Sequence, residues 1–345
     1  MKLTEFDYEL PQELIAQHPA EKRENAKMMV IHRDTGETRH RHFYDIVDYL
    51  RAGDCLVLND SKVIPARLFG TKEPTGAKIE VFLVRRIRED EWECLVRPGK
   101  RLKEGDVVSF SQSPLFTGRI LGEGRDGTRH VRFSYEGSFH ELLDEYGNIP
   151  LPPYIERAGE EEDKSRYQTV YCHYEGSVAA PTAGLHFTRA LLEALREKGV
   201  QVVFVTLHVG IGTFRPVKTE DIEGHVMHYE EYSISQQAAQ TINQAKKEGR
   251  RVIAVGTTST RTLESAAGED GLVRPGQAST NLFIRPPHYR FKVVDGLLTN
   301  FHLPKSTLLM LISAFYDREE ILKRYRLAVR EGYRFFSYGD CMLLL

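Results

Sequence analysis

Several things are scarce in this sequence, and each scarcity excludes something. Its four cysteines, Cys55, Cys94, Cys172 and Cys341, are scattered with no C-x-x-C pair. That spacing argues against a disulfide framework and against a zinc site, and fits free thiols in a reducing cytosol. Long apolar runs are missing. The longest, "LLMLISAF" from Leu308 to Phe315, is far too short to span a bilayer. The opening "MKLTEFDYELPQEL" has acidic residues where a signal peptide needs an apolar core, so a cytoplasmic chain is expected. A net charge of −2 removes general adhesion to nucleic acid or membrane, yet leaves room for a local basic patch. Internal repeats and low-complexity tracts are missing, and "VGTTSTR", which follows a predicted strand, is neither a P-loop nor a G-x-G-x-x-G motif.

What remains is an ordinary globular composition over 345 residues, long enough to make two domains the default. Between about Val63 and Ile149 the texture is β. Short runs such as "KIEVFLVR", "EWECLVR" and "RHVRFSY" alternate with the turn signals "EPTGA", "KEGD" and "GEGRDG". Strands at this spacing predict a small antiparallel barrel or sandwich. Elsewhere helix and strand alternate. "LPQELIAQ" predicts a short helix and "CLVLND" a strand. Thr188 caps "TRALLEALREKG", and "VQVVFVTLHVG" reads as a strand covered on both faces. Ser235 caps the next helix, then "RVIAVG" and "STRTLESA" follow. Pro304 stands as first residue of "KSTLLMLISAF". Asp317 to Glu320 forms a capping box for the last helix. The "EEED" run, Glu160 to Asp163, reads as a solvated loop. The expected fold is α/β, a mainly parallel sheet flanked by helices, with an inserted all-β barrel. The boundaries are 1–62 and 151–345 for the α/β domain and 63–150 for the insertion.

Ligands of a parallel α/β sheet bind at the C-terminal ends of its strands, and several motifs fall there. "VGTTSTR" offers Thr257, Thr258 and Ser259 at a helix start, suited to an anion or simply to capping. "TLHVGIGTF" holds His208 as a base candidate, and Gly210 and Gly212 let the backbone approach a ligand. "LTNFHLPKST" brings Asn300 and His302, which serve equally well as core. "GSVAAPTAGLHFT", Gly176 to Thr188, is too small-sided for a core and too apolar for a solvated loop. It sets Thr182 and His186 in a wall whose small residues suit close contact with a nucleoside. "HVMHYEE" gives His225, His228 and Glu230, a loose spacing for metal. In the β-rich part, Arg97, Lys100, Arg101 and Lys103 suit phosphates, diluted by Glu89, Asp90, Glu91 and Glu93.

Nine segments in collinear order carry a resemblance across essentially the whole chain. Among them are "LNDSKVIPARL", "IPLPPYIER", "RYQTVYCHYEGSVAAPTAGLHFT", "TLHVGIGTFRPV", "HVMHYEEY", "VGTTSTRTLES", "TNFHLPKSTLLMLISAF" and "YRFFSYGDCML". With "FDYELPQELIAQHPAEKRENAKMMV" they resemble the S-adenosylmethionine:tRNA ribosyltransferase-isomerase family of queuosine biosynthesis. There are departures: Ser61-Lys62 replaces the usual Thr-Arg, Pro286-Pro287-His288 the usual Pro-Gly, and Thr260 the usual Val. The change to Lys62 keeps a charge but loses a bidentate fork.

The resemblance implies an α/β domain with an inserted barrel, and a reaction. The ribosyl part of S-adenosylmethionine passes to the 7-aminomethyl-7-deazaguanine wobble base of a tRNA with a queuosine-type anticodon. The product is epoxyqueuosine-tRNA, and adenine and methionine leave. No metal and no cofactor beyond S-adenosylmethionine as co-substrate is implied, and a monomer is favoured. The family's scheme starts at the acidic C–H beside the sulfonium. It needs a base, an acid for the departing adenine, and a site closed to water. His186 or His208 is the expected base, since histidine titrates near neutrality. Asp60 or Asp340 is the expected acid or ribose holder. Thr257, Thr258 and Arg261 are expected to hold the methionine carboxylate. Thr182, Gly210, Thr213, His228, Asn300 and His302 are the further substrate candidates, and Lys62, Arg67, Lys100 and Arg101 those for tRNA phosphates. Without the resemblance, three readings stand: an S-adenosylmethionine-dependent tRNA methyltransferase, a metal hydrolase, and a non-catalytic RNA-binding module.

Overall fold

The computed structural model describes residues 1–124, 127–210, 212, 217 and 219–345, with the Arg101 side chain left aside. One sheet of nine strands forms the centre. Its order is Gly276–Thr280, Glu230–Ile234, Gln201–Leu207, Cys55–Asn59, Val252–Val255, Gly296–Asn300, Cys341–Leu344, Lys27–Ile31 and Thr38–His42. The four central strands, from Gln201–Leu207 to Gly296–Asn300, are parallel. Antiparallel strands flank them on both sides. The sheet is therefore mixed, with a parallel core narrower than "mainly parallel" suggests. The last strand, Cys341–Leu344, returns antiparallel to Gly296–Asn300 and lies parallel to Lys27–Ile31.

The apolar runs of the central strands follow from burial on both faces. Cys55, Val57, Val203, Val205, Val252, Ala254 and Leu297 face Ala238, Ile242, Ala245 and Leu263 of two helices, Gln236–Lys247 and Gly256–Ala266. Leu56, Leu58, Ile253, Val255 and Leu298 face the other way. They meet Leu192 and Leu195 of the helix Arg189–Glu197, with Phe43 and Phe187. Burying a Leu, Ile or Val side chain contributes about 1.5–3 kcal/mol. Alternate residues of one strand thus anchor two helical layers.

The barrel runs from Arg67 to Asn148. Six antiparallel strands close when Arg67–Lys72 pairs with Val107–Gln112. At that seam Gly70 is required, because a Cβ would stand 2.6 Å from the Ser109 carbonyl oxygen. The helix Phe139–Tyr146 sends Phe139, Leu142 and Leu143 into the barrel core with Trp92, Phe116 and Phe133. A two-stranded neck joins barrel and sheet: Ser61–Val63 leaves the central strand and pairs in parallel with the returning Tyr174–Ser177. No helix among the described residues is long and apolar enough to cross a membrane.

Helix caps form where the sequence offers them. Thr188 Oγ1 accepts from the Leu191 amide, Ser235 Oγ from Ala238, and Asp317 Oδ1 from Glu320. Four expectations change. "LPQELIAQ" makes only a 3-10 turn, Gln12–Leu14. The box at Asp317 is half a box, because Glu320 turns its carboxylate to Lys323 and Arg324. Pro304 does not start a helix; Thr307–Phe315 begins after Ser306, whose hydroxyl caps Leu309. And Asp163 is buried rather than solvated. It accepts both arms of the Arg157 fork at 2.7 and 2.8 Å, the Glu160 amide and the Tyr338 hydroxyl. Burial pushes its carboxyl up, but these donors outweigh burial and hold it below the usual range. Replacing Asp163 with Ala takes the bidentate carboxylate from the half-buried Arg157 fork, so the loss should be about 2 kcal/mol. A urea midpoint shift at unchanged slope measures it; a shift near zero would show that Asp163 carries no such load.

Candidate functional site

In chain order the four parallel strands lie 2-1-3-4, so helix connections leave in opposite directions from Cys55–Asn59 and Val252–Val255. A crevice opens at such a switch point, outside the C-terminal ends. Asn59 shapes its floor. This fully buried amide donates from Nδ2 to the Leu207 carbonyl at 3.0 Å, and its Oδ1 accepts from the amides of Leu207 and Ser61. The ladder between the two strands is thereby carried past their last regular pair, Val205 with Asn59.

Asp60 and His208 stand directly beyond this splice. Asp60 is buried; its Oδ1 accepts from the Thr206 hydroxyl at 2.7 Å, and burial pushes its carboxyl up despite that donor. His208 is half-buried, and its Nδ1 lies out of water with no hydrogen-bond partner. Burial lowers its pKa, with some return from the Glu231 charge, so the imidazole is neutral near pH 7. One carboxyl nudged towards holding a proton thus sits one strand away from one imidazole free to take one.

His186 and His302 are committed. His186 Nε2 lies 3.0 Å from Asn300 Oδ1. Because the Asn300 Nδ2 donates to the carbonyls of Phe336 and Ser337, its oxygen must accept, so His186 donates from Nε2. Burial lowers His186 to about 4. His302 shares a hydrogen with Thr299 Oγ1 at 2.9 Å and is lowered by burial to about 3. Its backbone amide is committed too, donating to the Tyr325 hydroxyl. Asp340 is likewise occupied: its two oxygens accept the backbone amides of Lys27 and Arg334 at 2.8 and 2.7 Å.

The strand Val252–Val255 turns through Gly256, at φ 84°, straight into the helix Gly256–Ala266. Thr257 is buried in its first turn, and Thr258 Oγ1 and Ser259 Oγ are buried without partners. Arg261 is not free as a carboxylate clamp. Its Nη1 pairs with buried Glu230 and its Nε donates to the Leu282 carbonyl, leaving Nη2 buried without a partner. Glu230 also accepts the Gly210 amide at 3.0 Å. It is therefore drawn away from His225, which stacks edge-on against Phe283, and from exposed His228. Among the described residues no cluster of three His, Cys, Asp or Glu is placed to share a metal ion. Thr213 lies outside the described residues.

The loop containing Thr182 crosses above these ends. The turn Thr182–His186 rests on Gly296–Asn300 and on the start of the Gly256 helix, where Ala183 Cβ is 3.6 Å from the Cβ position of Gly256. The smallness of this loop has a nearer cause than a ligand. A Cβ on Gly184 would stand 2.1 Å from the Tyr171 hydroxyl, and one on Gly176, at φ 140°, 2.8 Å from His208 Nδ1. The protein's own side chains fill the space. Gly210, by contrast, has room for a methyl group, its nearest neighbour being Glu230 at 3.9 Å. Of the basic candidates, Lys62 pairs with Glu175 at 2.7 Å and Arg67 lies 3.2 Å from Glu80, while Lys100 is exposed.

The neutral, buried His186 and His302 give stability a pH dependence. Both have folded pKa values below the unfolded 6.5, so the unfolded chain binds more protons as pH falls below 6.5. Their contribution is complete above pH 6.5 and shrinks towards pH 4, by about 2 kcal/mol each at pH 5. Urea titrations at pH 7.5 and pH 5 should show this loss, and His302→Gln should remove part of the slope. An unchanged slope in the variant would place the dependence on other groups.

Comparison with known proteins accords with this architecture. The family model described as "Queuosine biosynthesis protein" matches residues 3–344. A curated protein of Desulfitobacterium hafniense, named S-adenosylmethionine:tRNA ribosyltransferase-isomerase, is 55% identical over 345 residues, all of both chains. One of the same name from Clostridioides difficile is 54% identical over 344 residues, again all of both chains. A crystal structure of S-adenosylmethionine tRNA ribosyltransferase from Thermotoga maritima aligns over 99% of this chain and 100% of that one. Its TM-score is 0.56 and its identity 41%. With a family model matched almost end to end and relatives far above 30% identity, the chain belongs to the queuosine biosynthesis protein family.

Proposed function

We propose that this chain transfers the ribosyl part of S-adenosylmethionine to a tRNA base and isomerises it, releasing adenine and methionine. The observation that carries the reading is the end-to-end match with relatives bearing that enzyme's name. Those names also favour ribosyl transfer over methyl transfer. The chemistry needs a base and an acid in a site closed to water. A neutral His208 and an Asp60 whose carboxyl burial pushes up support placing it at the crevice.

His208 is the base in this reading. Its imidazole takes the proton from the carbon beside the sulfonium, and the electron pair left there forms the ylide. That pair forms a carbon–carbon double bond as the neighbouring bond to the sugar's ring oxygen breaks. The oxygen's pair becomes a carbonyl as adenine leaves with its own bonding pair and takes a proton from Asp60. The aminomethyl nitrogen of the tRNA adds to the double bond and returns its proton to the Asp60 carboxylate. The carbanion so re-formed beside sulfur closes on the carbonyl carbon, and the resulting alkoxide forms the epoxide by displacing methionine with the carbon–sulfur pair. What supports His208 over His186 is commitment: His186 is fixed to Asn300 and pushed to about 4, while His208 has an unbonded Nδ1. What supports Asp60 over Asp340 is the same contrast, since both Asp340 oxygens accept backbone amides. His186 and Asn300 position the Thr182–His186 turn over the strand ends.

His208→Gln should lower the rate of adenine release at saturating substrates about 10²–10⁴-fold, with a small change in KM for S-adenosylmethionine. Asp60→Asn should cost a similar factor and remove the basic limb of the pH–rate profile. Gly176→Ala, pressing on the His208 ring, should lower kcat while tRNA binding persists. Near-normal turnover in His208→Gln would move the base elsewhere.

A further inference from the structure

A second cleft lies beside His186 between the N-terminal arm and the turn before the last strand. Its lining includes Arg23, Arg166, Arg334, His186, Ser337 and Tyr338. Three guanidinium groups on one cleft repel one another. Arg23 donates only to carbonyl oxygens, Nη1 to Leu185 at 3.0 Å and Nη2 to Ser165 at 2.8 Å. Arg334 donates from Nη1 to the His18 carbonyl at 3.1 Å. Among the described residues neither forms an ion pair. Arg166 has one carboxylate, Glu162 at 3.1 Å, and its Nε is buried without a partner. Burial first, and then the Arg166 charge, lower the pKa of Arg23. Carbonyl oxygens orient these forks without cancelling their charge, so the cleft is arranged for an oxyanion.

We propose that this cleft, on the α/β domain beside His186, holds a backbone phosphate of the RNA substrate. The inference rests on the reading of the chain as a tRNA-modifying enzyme. Its class of ligand follows from the continuation of positive charge outside the cleft. Arg23 and Arg189 both bear on the half-buried Cys172, so positive charge continues from the cleft towards the neck, where Lys62 is already paired with Glu175. A line of cations suits a polyanion whose charges repeat. A single small carboxylate would use only one end of it. Arginine forks bind non-bridging phosphate oxygens in pairs.

The test uses the full chain, undermodified tRNA and S-adenosylmethionine. Binding of tRNA is measured across a potassium chloride series, and KM for each substrate from adenine release. Arg334→Gln should weaken tRNA binding, reduce the slope of log affinity against log salt by about 1, and leave KM for S-adenosylmethionine unchanged. Arg334→Lys should recover the slope but not the full affinity. Arg23→Lys, which keeps a donor for Leu185, should do the same. An unchanged salt slope in a variant with wild-type thermal midpoint would overturn the proposal. So would a rise in KM for S-adenosylmethionine with tRNA binding intact, which would give the cleft to the methionine carboxylate. If Arg334→Gln fails to fold, the lysine variants decide, since undiminished tRNA affinity in both overturns the assignment. Should the wild type bind tRNA with salt dependence and release no adenine, the enzymatic reading falls. The cleft is then judged on the binding slopes alone.

Discussion

The side chain of Asn59 stands in for a peptide group, and the arrangement around it depends on that substitution. Where the central strand ends, the chain must leave the sheet for the barrel, which would strand the last donors and acceptors of the neighbouring strand. The Asn59 amide supplies both a donor and an acceptor to Leu207, in the place of the backbone that has departed. Buried polar groups are costly unless satisfied, so this one side chain allows a parallel sheet to open at its middle. Asp60 and His208 are the residues that follow on either side of that opening. Their nearness is a consequence of the splice.

Charge is distributed around the opening with a consistent economy. Carboxylates that hold the scaffold are saturated: Asp163 by Arg157, and Glu264 by three successive backbone amides from Lys292 to Val294. The histidines that brace the loop over the crevice are neutral and hydrogen-bonded. Against this background the groups with spare capacity stand out. Among the buried groups left without a partner are the His208 ring, Thr258 and Ser259 at the helix start, and one nitrogen of Arg261. They all belong to the rim of the same parallel strands.

Much of this was legible in the sequence, and the division follows the range of the interactions. Thr188, Ser235 and Asp317 cap helices by reaching three residues along the chain, so local pattern suffices. The barrel shows itself through turn spacing, and the central strands through apolar runs that only double-sided burial explains. Asp163 hides in an acidic run because its partners, Arg157 and above all Tyr338, are invisible to local pattern. The choice between His186 and His208 turns on Asn300, 114 residues from the first of them. Gly184 looks like a ligand contact until Tyr171 is placed beside it. Nor does composition separate Arg23 and Arg334 from the paired arginines. Only their surroundings show that carbonyls, not carboxylates, receive them.

The neck has a consequence for how the molecule is made. Asn59 and Leu207 are 148 residues apart, and the whole barrel is threaded between them. Ribosomal synthesis delivers domains from the N-terminus onward, and contacts distant in sequence form slowly. The barrel, continuous from Arg67 to Asn148, can therefore close as a finished body while Cys55–Asn59 still lacks both of its neighbours. During that interval this strand, buried along its whole length in the finished protein, waits with two unpaired edges, tethered to a domain already folded. The compact barrel shortens the effective gap that Gln201–Leu207 must then bridge, so the insertion that divides the sheet in sequence also helps to reunite it in space.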